Sequence, residues 1–233
     1  MDALHLSDRL AAVAAYVPDG ARLADIGSDH AYLPANLLLN QRINFAIAGE
    51  VAKGPLQNAE EEIARHHLTD VLKPRLADGL AAVMPEDDID TVVIAGMGGR
   101  LITNILEAGH QHGEHYAHLI LQANTDVAAV RSWLMKHHYR ITAERMILDD
   151  GHYYEIVVAE PGMAEYSDQA LQFGPLNIAE QASVWREYWQ REQQRLQSIM
   201  QQLADQNQQQ SAAYANYAQQ VAQIQEVLTH ASE

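Results

Sequence analysis

The 233-residue chain has no cysteine. That excludes a disulfide framework, a cysteine-based zinc site and a thiol nucleophile, and it suits a reducing compartment. Basic residues are scarce: 15 Lys and Arg stand against 31 Asp and Glu, for a formal net charge of -16. This balance favours solubility and argues against indiscriminate nucleic-acid binding, although a local basic face still acts within a Debye length. No apolar run approaches the length of a bilayer, and Met1-Asp2-Ala3-Leu4-His5 lacks the basic and apolar blocks of a signal peptide. A soluble, cytoplasmic protein without a membrane partner is expected. The twelve histidines include the pairs His66-His67 and His137-His138, neither at the i, i+4 spacing of a helical metal site, so no metal is expected.

What is present is 48% apolar residues, enough to bury the core of one α/β domain with a small appendage. Leu6, Leu10, Val13 and Val17 give residues 4–17 a helical spacing that Pro18-Asp19-Gly20 ends. Short apolar runs then alternate with helical ones. The pattern predicts strands at 22–27, 45–50, 71–76, 90–95 and 118–122, with helices at 55–67, 98–108 and 126–136. Such alternation implies right-handed crossovers and a mostly parallel sheet. Two further runs, 140–148 and 153–159, flank Asp149-Asp150-Gly151-His152, a hairpin signal that adds an antiparallel pair. Five parallel strands followed by such a hairpin make the seven-stranded Rossmann-like sheet of class I methyltransferases.

Composition shifts after Glu160. The expected organisation is a Rossmann-like domain over 1–160, a linker over 161–175 and a helical hairpin over 176–233. In the last, Ile178, Ala182, Trp185, Trp189, Glu192, Leu196, Ile199 and Leu203 form a heptad seam, imperfect at Glu192. After the polar break at 207–211 it resumes with Tyr214, Tyr217, Val221, Ile224, Leu228 and Ala231. An antiparallel, coiled-coil-like pair is one reading, and a single long helix is the other. A monomer is expected, with self-association open through these helices.

The chemistry gathers at strand ends. The first strand delivers Asp25-Ile26-Gly27-Ser28-Asp29-His30-Ala31-Tyr32. A dinucleotide site needs three glycines there to cradle a pyrophosphate, and this sequence has one, flanked by acids. Those acids suit a cation, and S-adenosyl-L-methionine carries a sulfonium and an ammonium. Asp25, Gly27, Ser28 and His30 are therefore cofactor candidates. Glu50 closes the second strand, where it can accept from ribose hydroxyls, and Asp78-Gly79 follows the third, where it can accept from an adenine amino group. Ala95, Gly96 and Met97 end the fourth strand beside the cofactor, and Gly98 and Gly99 clear space for the acceptor.

These strings, together with Ala46-Ile47-Ala48-Gly49-Glu50-Val51, Ala95-Gly96-Met97-Gly98-Gly99 and Tyr154-Glu155-Ile156, resemble the bacterial tRNA (adenine-22-N1) methyltransferases of the TrmK type over nearly the whole chain. The resemblance implies a cytoplasmic, metal-free enzyme that moves a methyl group from S-adenosyl-L-methionine to N1 of a tRNA adenine. In one place the sequence departs: Gln122-Ala123-Asn124 stands where the family has Gln-Pro-Asn, which keeps both hydrogen-bonding side chains but loses the fixed proline angle. In this reading Asp29 stabilises charge developing on the base, and Asn124 and Gln122 position it. Tyr32 and His30 shape the pocket, and Arg9, Lys53, Arg100 and Arg131 are candidates for phosphate contacts at the rim. The alternatives are another S-adenosylmethionine-dependent RNA adenine methyltransferase, a NAD-dependent oxidoreductase, which the missing glycines disfavour, and a non-catalytic helical adaptor, which the strand-end acids disfavour.

Overall fold

The computed structural model describes residues 1–113 and 115–229, which fall into two compact units divided between Glu165 and Tyr166. In the first, β1 (Arg22–Ile26), β2 (Phe45–Glu50), β3 (Leu72–Leu76), β4 (Thr91–Met97), β5 (His118–Ala123), β6 (Tyr139–Asp149) and β7 (His152–Pro161) form one sheet in the order β3-β2-β1-β4-β5-β7-β6. The first five are parallel, and β7 runs antiparallel to both β5 and β6. Chain order reverses between β1 and β4, so the crevice at their carboxyl ends is where such sheets take ligands.

Central strands buried on both faces read as continuous apolar runs, and β1, β2 and β4 do so with Leu23, Ala24, Ala46, Ile47, Val92 and Val93 all buried. The helices are α1 (Asp8–Ala15), α2 (Tyr32–Leu39), α3 (Lys53–Arg65), α4 (Gly99–Gln111) and α5 (Val127–Lys136). Ser7 starts α1 by accepting the Leu10 N–H at 3.3 Å. Helix α2 has no clear place in the sequence pattern: Leu33, Ala35, Leu37 and Leu38 are all buried, so no polar face marks its period. Asp149 pairs with His152 across a two-residue turn in which Asp150 and Gly151 both have positive φ, 48° and 75°, the primed geometry that an Asp-Gly pair favours.

The second unit begins inside the stretch expected to be a bare linker. Strand β7 extends to Pro161, and α6 (Asp168–Phe173) follows, capped by the Ser167 hydroxyl accepting from the Ala170 N–H at 3.2 Å. Next come α7 (Pro175–Glu180), α8 (Ser183–Asp205) and α9 (Ala212–Thr229). Gln181, in the left-handed region at φ 50°, separates α7 from α8. Gln193 bonds Gln225 at 2.8 Å and Gln181 bonds the Val227 carbonyl at 2.6 Å, so α8 and α9 run antiparallel and the single long helix is excluded. The apolar seam is buried at Trp185, Trp189, Leu196, Ile224, Val227 and Leu228. Ala231 lies outside the described residues.

Candidate active site

Parallel pairing brings the carboxyl ends of β1, β2, β4 and β5 side by side: Ile26 pairs with Gly49 and Ile94, and Ala95 with Gln122. Beyond Ile26 the chain turns through Gly27 at φ 74°. That positive φ favours glycine, and a Cβ there would also displace the Met97 methyl, which lies 2.0 Å from where it would sit. Asp29 and Ala31 follow, also left-handed at 58° and 55°. Backbone in that region is costly for residues with a Cβ and persists where the surroundings dictate it. Here Glu50 accepts the Asp29 N–H and Ser28 donates its hydroxyl to Asp25, tying the loop to two strand ends.

Asp25 and Glu50 are each only 5% exposed. Burial pushes the Asp25 carboxyl up to about 7, the Ser28 hydroxyl and Arg9 guanidinium opposing the shift and the Glu50 charge reinforcing it. Burial also raises Glu50, against the hydrogen bond from the Asp29 N–H. Two carboxyls held out of water beside each other are a receptor for positive charge, because a cation relieves both their repulsion and their desolvation. Asp29 itself is exposed, with the His30 ring 3.8 Å from its carboxylate. His30 stacks on Tyr32, ring centroids 4.9 Å apart and nearly parallel.

Beyond β3, Asp78 and Gly79 open a short 3-10 turn, Gly79–Ala82. They line a cavity of about 510 Å³ with Leu80 beneath and Leu101, Asn104 and Ile105 of α4 opposite. The sequence reading missed those three helix residues. Their one signal in the sequence is the apolar pair Leu101 and Ile105, four residues apart and out of phase with Ile102, Leu106 and Gly109; in the structure Leu101 is 51% exposed.

On the other side of the crevice a polar clamp fixes the glycine loop. The buried Gln122 accepts from the Gly96 N–H at 3.0 Å and from Arg9 Nη1 at 2.6 Å. Its Nε2 donates to Asn124 Oδ1 at 2.9 Å, and Asn124 Nδ2 donates to the Gly96 carbonyl at 2.9 Å. Met97 accepts the Asn124 N–H at 2.8 Å. Gly98 precedes α4 as its cap, and Gly99 begins it against backbone: a Cβ there would sit 2.3 Å from the Asp126 carbonyl oxygen.

The four basic candidates diverge. Arg100 is on the surface, 3.8 Å from Asp126, and Lys53 is exposed at the start of α3. Arg9 reaches inward instead, bonding Gln122 and lying 5.4 Å from the centroid of the Tyr154 ring. Arg131 is a correction. It is fully buried, paired with Glu144 at 2.6 Å and with Glu155, so it cannot meet a phosphate at the rim. Its work is to neutralise two acids that β6 and β7 carry inside.

Glycine-lined backbone, buried carboxyls and an adjoining apolar cavity with a carboxylate at its edge fit a methyl donor with a cationic head and an adenine tail. A family model described as tRNA (adenine(22)-N(1))-methyltransferase matches residues 23–226. A protein of that name from Bacillus subtilis (strain 168) is 40% identical over 210 residues, spanning 88% of each chain. A Streptococcus pneumoniae structure in complex with S-adenosyl-L-methionine superposes with a TM-score of 0.87 at 39% identity, covering 96% of this chain and 100% of that one. A TrmK structure from M. capricolum holding S-adenosyl-homocysteine gives 0.86 at 29% identity, covering 96% and 97%. The chain belongs to the TrmK family of tRNA (adenine(22)-N(1))-methyltransferases.

Proposed function

We propose that this protein transfers a methyl group from S-adenosyl-L-methionine to N1 of adenosine 22 in tRNA. The observation that carries the reading is the pair of buried carboxyls, Asp25 and Glu50, facing a glycine-lined loop at the sheet's switch point in a chain of this family. When bound, the donor supplies a methyl group made electrophilic by a sulfonium. Asp25, Gly27, Ser28 and His30 receive its charged head, Glu50 its ribose, and Asp78 with Gly79 its adenine, alongside Ala95, Gly96 and Met97.

The N1 lone pair of adenine is already a nucleophile, so the chain needs no attacking side chain. Its residues instead position the base and stabilise the positive charge that grows on it. Asp29, an exposed carboxylate at the mouth of the site, supplies the second function. Asn124 supplies the first: its amide is already oriented by Gln122 and Gly96, and one lone pair and one proton remain for a base edge. Tyr32 offers a flat face, and Gly98 and Gly99 leave room for the base. A base inside folded tRNA must leave its stack to arrive there. Arg100 and Lys53 contact phosphates at the rim, while Arg9 holds the crevice from within. The enzyme works as a cytoplasmic monomer, and among the described residues no helix is long and apolar enough to cross a membrane.

Calorimetric titration with S-adenosyl-L-methionine and with NAD, followed by transfer of labelled methyl groups to tRNA, tests this reading. Saturable binding of the methyl donor alone, with label entering tRNA, is expected. Binding of NAD instead, or label that never reaches RNA, contradicts it.

A further inference from the structure

Of the string Tyr154-Glu155-Ile156, Glu155 pairs with Arg131 and Ile156 is buried in the core, which leaves Tyr154 without a part in the account above. Glu155 lies opposite Ala123 of β5, so Tyr154 is the next position beyond that strand's carboxyl end, level with Asn124. Its ring faces the Arg9 guanidinium, and a cation over an aromatic face is attracted by the ring's negative surface. The Arg9 backbone is held as well, its N–H donating to Asp149 at the end of β6 at 3.1 Å. Held at both ends, the guanidinium meets Gln122 Oε1 at 2.6 Å.

Gln122 is fully buried, and a carboxamide can sit either way round. Here Arg9 Nη1 and the Gly96 N–H converge on its oxygen. The reversed amide would face both of them donor to donor, a costly arrangement out of water. With the oxygen turned to Arg9, Nε2 turns to Asn124 Oδ1, and Asn124 Nδ2 to the Gly96 carbonyl. A cation on α1 thereby dictates which way round an exposed carboxamide beyond β5 is held.

We propose that Arg9 is a positioning residue for methyl transfer: acting through Gln122, it turns Asn124 so that its oxygen accepts from the exocyclic amino group of the target adenine. This rests on the reading of a tRNA adenine as the substrate. Adenine carries that amino group beside the N1 lone pair. An oxygen opposite the amino group holds the ring and leaves N1 unengaged, whereas an amide N–H placed there would compete for the lone pair that attacks the methyl group. Guanine has a carbonyl oxygen in place of the amino group and would meet Asn124 acceptor to acceptor. The relay from Arg9 therefore selects adenine as well as orienting it.

The experiment uses the full chain and tRNA assembled with adenosine or purine riboside, which lacks the amino group, at position 22. Single-turnover methyl transfer is followed for the parent, Arg9→Met and Arg9→Lys at saturating tRNA and S-adenosyl-L-methionine. Saturation matters because Arg9 also acts on the Asp25 carboxyl, and its loss changes the charge there. Arg9→Met should slow transfer to adenosine by about 10–100-fold, the scale of a lost hydrogen bond to a charged group, and Arg9→Lys should recover most of it. The parent's preference for adenosine over purine riboside should also shrink by about threefold or more in Arg9→Met, since Asn124 no longer reads the amino group. A structural Arg9 would slow both transcripts alike, so a folded Arg9→Met that keeps the parent's preference overturns the proposal. A parent that methylates purine riboside as fast as adenosine overturns it without any variant. The methyltransferase reading fails differently, when the parent labels neither transcript.

Discussion

The two units bury different things. Among the described residues every buried ionisable side chain lies in the α/β unit, from Asp25 and Glu50 at the crevice to Arg131 behind it. Among its described residues the helical unit buries aromatic and aliphatic side chains with a single polar one, Asn177. Its charges stay outside: Arg195 pairs with Glu192 one turn away, and Arg186 bonds Gln181 and the Leu228 carbonyl. A buried charge needs a scaffold stiff enough to keep its partners in place, and a sheet with helices packed on it provides that. The α/β unit therefore carries fixed electrostatics, and the hairpin carries a repeating seam with adaptable amides outside.

The sharpest break between the units is expected at Arg131. Arg131→Met leaves Glu144 and Glu155 buried and uncompensated, which should cost about 3–5 kcal/mol of stability. Urea unfolding that finds under about 1 kcal/mol would remove the triad as a structural element. Gly99→Ala comes next, since the new methyl meets the Asp126 backbone rather than a yielding side chain. A loss of about 2–3 kcal/mol is expected by the same measurement.

At the crevice, Glu50→Ala and Asp78→Ala should each weaken donor binding by about 1–3 kcal/mol, the scale of a charge-assisted hydrogen bond, with the fold retained. Calorimetry showing parent-like affinity in both would sink the strand-end assignment. Asp25→Asn sharpens the comparison through pH. The folded carboxyl titrates near 7 against an ordinary 3.8, so its contribution is fully present below about 4 and is lost as pH rises through 7. The Asn variant, which cannot ionise, should melt above the parent at pH 8 and converge with it near pH 4. A gap that is constant with pH counts against a buried, elevated carboxyl. The smallest effect belongs to the hairpin. Arg195→Ala removes an exposed i, i+3 pair and should change stability by about 0.5 kcal/mol or less.

Much of the α/β unit was legible because its signals are local. Glycines and acids punctuate the strand ends, and Asp150-Gly151 dictates the turn between β6 and β7. Helix α2 was not, because a short helix whose one polar residue, Asn36, makes no polar face shows no period. Arg131 was misread for a related reason. A charged residue on a helix looks solvated until β6 and β7, 13 and 24 residues further on, bring their acids to it. The acids of the crevice could be named from sequence, but the clamp of Arg9, Gln122, Asn124 and Gly96 joins three separate segments and exists only in three dimensions. In the hairpin the heptad seam was visible, yet it gave no hint that Trp185 and Trp189 would differ in hydrogen bonding.

The central claim is that the crevice presents N1 of one tRNA adenine to the methyl donor. The direct test is nucleoside mass spectrometry of tRNA incubated with the enzyme and S-adenosyl-L-methionine, with the position mapped by reverse-transcription stops. The account predicts N1-methyladenosine at position 22, and no product when that adenosine is replaced by guanosine. N6-methyladenosine, or methylation that persists on the replaced transcript, would contradict it.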